Sequence, residues 1–90
     1  MTESLKLIDG YLDENGRITR LPGKRQKKKL DIMIEYWASL FEREKDYSEL
    51  EVNTLLNEHH SFNDPATLRR LLVGTGKLGR TIDGKRYWRV

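Results

Sequence analysis

The chain has 90 residues, of which 37% are hydrophobic and 34% charged, with 17 Lys+Arg against 14 Asp+Glu, a formal net charge of +3 and no cysteine. This length supports one domain, residues 1–90, and leaves no room for a catalytic cleft between two. The lack of cysteine excludes a disulfide framework, a thiolate nucleophile and a thiolate zinc site. No apolar run approaches the roughly 20 residues of a membrane span. The opening Met1-Thr2-Glu3-Ser4-Leu5 lacks the basic-then-apolar order of a signal peptide, so a cytoplasmic protein is expected.

Charge comes in blocks. Residues 1–30 carry net +4, residues 31–64 net −7 and residues 65–90 net +6. Such segregation predicts a sided surface potential. The competing reading is that acidic and basic segments pack side by side and neutralise one another, each exposed pair contributing about 0–1 kcal/mol.

In chain order, Leu5, Ile8 and Leu12 share one helical face, with Thr2 as cap, so an N-terminal helix is expected within residues 1–15. Asp13-Glu14-Asn15-Gly16 reads as its turn, and Arg17–Leu21 as a short strand stopped by Pro22-Gly23. The strongest helix is expected from Lys24 to Arg43. Leu30, Ile34, Trp37 and Phe41 form its apolar row, Met33 and Leu40 widen it, and Ile32 and Tyr36 add a second edge. Ser48 and Glu51 form a capping box, each side chain serving a free amide of the other. The helix behind it sends Val52, Leu55, Leu56 and His59 inward.

Asp64-Pro65 starts the next helix, with aspartate as cap and proline at the first turn, and Leu68, Leu71 and Leu72 give its buried face. Gly74-Thr75-Gly76 stops it. The C-terminal segment reads as a hairpin around Asp83-Gly84. A three-residue loop with a bulge pairs Leu78 toward Trp88 and Val90 and places all three on one face. A two-residue loop sets Trp88 opposite Gly79. The first is expected because it gives a single apolar face.

This order is α+β: a winged helix-turn-helix of three core helices and a C-terminal β-hairpin wing, with an extra N-terminal helix and short strand. Its recognition helix is Pro65–Val73. At 100° per residue, Ala66, Arg70, Val73 and Lys77 lie opposite the leucine stripe, flanked by Thr67 and Arg69. Lys85 and Arg86 sit at the wing. Lys24, Arg25, Lys27, Lys28 and Lys29 crowd a helix start, where the macrodipole disfavours cations. That placement favours contact with an anion over a purely structural role.

The segments Gly16–Pro22, Lys24–Lys28, Tyr47–Glu49 with Glu51–Asn53, Ala66–Leu72 and Tyr87–Arg89 resemble a small bacterial domain family of unknown function. That family occurs alone and fused behind arsenic-repressor-type helix-turn-helix regulators. The resemblance covers residues 16–90 and implies a winged-helix-like fold and a link to transcription. It implies no activity and no binding residues.

The expected function is duplex DNA binding by a small transcriptional regulator. Lys24, Arg25, Lys27, Lys28, Thr67, Arg69, Arg70, Lys77, Lys85 and Arg86 are its candidate contacts. Arg69 and Arg70 have a second reading as partners of Glu49, Glu51 or Glu58. The alternative function is a protein-interaction or dimerisation module without DNA binding, with Ile32, Tyr36 and Val73 in contact with a protein partner or second copy. No enzyme is expected: Gly74–Gly79 is glycine-rich but follows a helix, whereas a phosphate loop opens one. His59-His60 are adjacent and point about 100° apart on a helix, so they do not make a metal site. One is expected at the core edge and the other exposed. No cofactor is expected.

Overall fold

The computed structural model describes residues 6–90. Among these residues, helices α1 (Lys27–Ala38), α2 (Glu49–Asn57) and α3 (Pro65–Gly74) pack with three short strands, β1 (Asp46–Tyr47), β2 (Leu78–Arg80) and β3 (Tyr87–Arg89). The strands form one antiparallel sheet in the order β1-β3-β2. The fold is α+β.

Leu5 and its predicted cap Thr2 lie outside the described residues. Beyond Ile8, the expected helix gives way to a 3-10 turn at Asp9–Tyr11. The chain then reverses through Asp13–Arg17: Asp13 Oδ1 accepts from the amides of Asn15 and Arg17 at 2.9 and 2.8 Å, and Gly16 takes φ +76°. The expected strand at Arg17–Leu21 is absent. Only Ile18 pairs, through single bridges to Leu12 and His60. The pairing stops at the two flanking bonds, Arg17 accepting from the Asp13 amide at 2.9 Å and Thr19 donating to the Tyr11 carbonyl at 2.7 Å, and Pro22 removes the next donor. Ile8 and Ile18 are nevertheless fully buried in the core.

Helix α1 is shorter than predicted at both ends. Gln26 supplies no capping side chain, and the lysine-rich first turn opposes the macrodipole. At the other end, Glu44 turns left-handed, φ 61°, and directs the chain into β1. Tyr47 secures that reversal: its hydroxyl accepts from the Glu42 amide at 2.8 Å, and its ring meets Phe41 edge-on with centroids 5.1 Å apart. β1 itself was not predicted, since two residues carry no periodicity.

Both expected caps form. Ser48 and Glu51 exchange bonds of 2.9 and 3.1 Å at the start of α2. Asp64 accepts from the Thr67 amide at 3.2 Å and from its hydroxyl at 2.7 Å at the start of α3. The Thr67 bonds hold the Asp64 carboxyl below the ordinary carboxylate range, and the Ser48 bonds do the same for Glu51. A depressed folded value stabilises above the unfolded pKa and is lost as pH falls through the folded one. Stability is therefore expected to stay level down to about pH 5 and to fall below about pH 4. Asp64→Asn keeps a capping oxygen without the titration. Urea midpoints over an acid series should fall less steeply for it than for wild type, and identical acid limbs would remove Asp64 from this account.

The core joins Met33, Ile34, Trp37 and Phe41 to Val52 and Leu56 of α2, Leu68 and Leu72 of α3, and Leu78 and Tyr87 of the sheet. The hairpin register differs from the bulged one expected. Gly79 faces Trp88, Leu78 faces Arg89 and Arg80 faces Tyr87, which is the register of a two-residue loop. Tyr87 is therefore buried, while Trp88 lies on the outer face, 37% exposed, and Val90 is exposed too. The local chemistry accounts for this: a Cβ at Gly79 would collide with the Trp88 ring, so the glycine makes room for the indole to cross β2. Gly79→Ala should lower stability by about 1–3 kcal/mol through overpacking. An unchanged urea midpoint would mean that the ring moves aside at no cost.

One histidine also differs from expectation: His60 is buried where an exposed side chain is expected. Its Nδ1–H donates to the Leu56 carbonyl at 2.6 Å and its Nε2 accepts from the Asp64 amide at 2.9 Å. It thus ties the end of α2 to the cap of α3. His59, expected to point inward, is half-buried, and its Nδ1 shares a hydrogen bond with the Tyr36 hydroxyl at 3.1 Å.

Candidate nucleic-acid interface

Helix α3 turns Leu68 and Leu72 into the core, which leaves Arg70 exposed on the outer side. No ion pair engages Arg70 among the described residues. Its neighbour Arg69 has a different environment. Its side chain is only 14% exposed, Nη1 donates to Asn53 Oδ1 at 2.6 Å, and Nη2 lies 3.6 Å from Glu49. Arg69 thus ties α3 to α2. Thr67 is occupied by the Asp64 cap. Lys77, past the end of α3, forms an ion pair with Glu35 of α1.

The wing between β2 and β3 is a tight turn held by its own side chains. The Thr81 hydroxyl donates to Asp83 Oδ1 at 2.7 Å, Asp83 Oδ1 also accepts from the Lys85 amide at 3.0 Å, and Gly84 takes φ +71°. The Thr81 hydroxyl and Lys85 amide hold the Asp83 carboxyl below its ordinary range. With Asp83 used internally, the Lys85 side chain makes no ion pair among the described residues. Arg86 lies 3.9 Å from Asp46, with both side chains more than half exposed. In such surroundings the pair contributes little. Ile82, at the tip, is fully exposed.

Lys24, Arg25, Lys27 and Lys28 are exposed at the start of α1 and form no ion pair among the described residues. Lys29 is set apart, with Nζ 5.4 Å from the centre of the Tyr11 ring, and Arg20 covers the same ring at 4.4 Å. Glu35 lies about two turns along α1 from this cluster. The candidates therefore separate into Arg69, Lys77 and Thr67, engaged within the fold, and Arg70, Lys85 and the α1 cluster, turned outward. Arg86 is between these groups.

One cation escaped the sequence reading. Arg80 is not among the candidate contacts, yet its Nε donates to the Thr81 carbonyl at 3.3 Å and its Nη2 to the Ile82 carbonyl at 3.2 Å, fixing its guanidinium at the wing base. The two-residue-loop register would have revealed it, because that register sets Arg80 across from Tyr87 on the face toward α3.

A family model for an uncharacterized protein conserved in bacteria, DUF2087, matches residues 17–89. The chain belongs to the DUF2087 family. The DUF2087 match takes in α1 to α3, β1 to β3 and the basic run before α1, and it starts after the Asp9–Tyr11 turn. No curated protein and no solved structure matches the chain. Among the described residues, no group of His, Asp or Glu is placed to hold a metal ion, and no helix is long and apolar enough to cross a membrane.

Proposed function

We propose that this chain is a winged-helix protein that binds duplex DNA, with α3 in the major groove and the β2–β3 wing on the backbone, and serves as a small transcriptional regulator. The observation that carries the reading is the connectivity. Helix, strand, two helices and a hairpin, with the first strand pairing to the last, is the winged-helix order. In that arrangement the outer side of α3 and the hairpin tip face the same way. Arg70 lies on the one, Lys85 and Arg86 on the other. The basic run at Lys24–Lys28 adds phosphate contacts at a helix start where cations otherwise cost stability. The resemblance to a family linked with arsenic-repressor-type regulators agrees with a place in transcription.

The test is a duplex titration of the whole chain across a salt series. Binding that weakens linearly in log–log form, with a slope set by the phosphates neutralised, is expected. Salt-independent binding would point away from a phosphate interface.

A second reading, a protein-interaction module without DNA binding, has one observation in its favour. Leu50 on α2 is 75% exposed beside a shallow apolar depression of about 330 Å³ lined by Tyr47, Leu55 and Thr54 and edged by Glu51 and Glu58. Ile32, Tyr36 and Val73, the contacts expected for that module from sequence, are half-buried against the core. Burial also raises the Tyr36 hydroxyl above its ordinary pKa.

A further inference from the structure

We propose that the notch between α3 and the β2–β3 hairpin is a seat for a phosphate group. The notch has a volume of about 390 Å³ and is lined by Arg69, Arg70, Val73, Gly74, Arg80 and Tyr87. Three of these six are arginines and none is a carboxylate. Glu49 offsets the charge of Arg69, while Arg70 and Arg80 have no ion pair among the described residues and leave the local potential positive. The planar, multi-donor guanidinium is also the side chain best matched to phosphate oxygens.

Two of the three forks are already held. Arg69 is fixed from behind by Asn53 and Glu49, and Arg80 by the Thr81 and Ile82 carbonyls. A ligand that enters has little side-chain entropy left to remove from them, and such preorganisation favours binding. Arg70 is exposed and lines the notch from α3.

Tyr87 adds a neutral donor. Its ring is 2% exposed, yet its hydroxyl makes no hydrogen bond among the described residues and is left for a ligand oxygen or water.

The notch lies near the C-terminal end of α3, where free carbonyls would repel an anion. Three of the last four carbonyls are covered. The Thr75 hydroxyl donates to Leu71 at 2.8 Å, the Lys77 amide to Leu72 at 2.9 Å, and the Gly76 amide to Val73 at 3.1 Å. Pairing with an acidic neighbour accounts for Arg69, whereas the exposed Arg80 has no acidic partner among the described residues.

The seat deepens the duplex reading and rests on it only for the source of the phosphate, a nucleic-acid backbone or a free phosphate. The probe is inorganic phosphate added to the whole chain at constant ionic strength against chloride, followed by amide NMR shifts. Saturable shifts at Arg70, Gly74, Arg80 and Tyr87 are expected. They should be lost in Arg80→Gln and weakened in Tyr87→Phe, which keeps the buried ring. Unchanged melting of both variants ensures that the comparison concerns the seat.

The duplex arm identifies the source. If the backbone supplies the phosphate, Arg80→Gln lowers the salt slope by roughly one unit. If the slope stays constant while phosphate still shifts the wild type, a free phosphate is the ligand. Phosphate shifts without duplex binding uphold the seat and defeat the duplex reading. No saturable phosphate shifts, or shifts unchanged in Arg80→Gln, overturn the seat whatever the duplex result.

Discussion

Trp37→Ala is expected to lower stability by about 3–5 kcal/mol. The ring is fully buried in the third turn of α1, and its Nε1–H donates to the His59 carbonyl at 3.3 Å, so it joins α1 to the link between α2 and α3. Truncation leaves a cavity that the surrounding side chains fill only in part. The His59 carbonyl does not lose its only donor, because the Ile18 amide also reaches it at 3.2 Å. Trp37→Phe should accordingly cost much less, about 1–2 kcal/mol, mainly through lost packing volume and one hydrogen bond. A domain of this size has only about 5–14 kcal/mol in total, so the alanine variant should be partly unfolded at moderate urea. Urea melts with unchanged m-values provide the measurement. Equal midpoints for alanine and phenylalanine would show that volume at this site does not matter, and the core assignment would fail.

The sequence was most informative where a single residue type enforces one local geometry. Ser48 with Glu51, and Asp64 with Pro65, marked two helix starts because their oxygens satisfy amides that nothing else reaches. The inward row Ile34, Trp37, Phe41 was legible from its spacing alone. It was least informative where pairing with a distant segment decides. β1 exists because β3 offers it an edge, and Ile18 is buried between Leu12 and the residue pair His59-His60, over 40 positions away. The hairpin register turned on Gly79. A single apolar face for Leu78, Trp88 and Val90 favours a bulge, whereas the bare surface of Gly79, on which the Trp88 ring lies, goes with the two-residue loop. Among the candidate contacts, spacing around α3 separated the core leucines from Arg70. It could not show that Arg69 is taken by Asn53 or Lys77 by Glu35, since those bonds depend on how helices pack.

Arg70→Ala and the double variant Lys85→Ala/Arg86→Ala are expected to weaken duplex binding in different ways. Arg70 extends from the middle of α3 without an intramolecular ion pair among the described residues, where its fork can reach guanine O6 and N7 in a major groove. Its loss should cost about 1–3 kcal/mol on a preferred site and less on random duplex. Lys85 and Arg86 flank the wing turn, where phosphate is the contact within reach. Their loss should weaken all duplexes alike and reduce the salt slope by roughly one unit per contact. All three side chains are exposed, so each variant should melt like wild type, and this control makes the affinities comparable. Equal losses on preferred and random duplexes for Arg70→Ala would move that arginine from base edge to backbone. If wild type binds no duplex at about 100 μM protein in low salt, weaker than ordinary non-specific binding, the DNA reading falls. The α2 surface then becomes the site to test, through Leu50→Asp: a lost protein contact with an unchanged melt is what the interaction module requires.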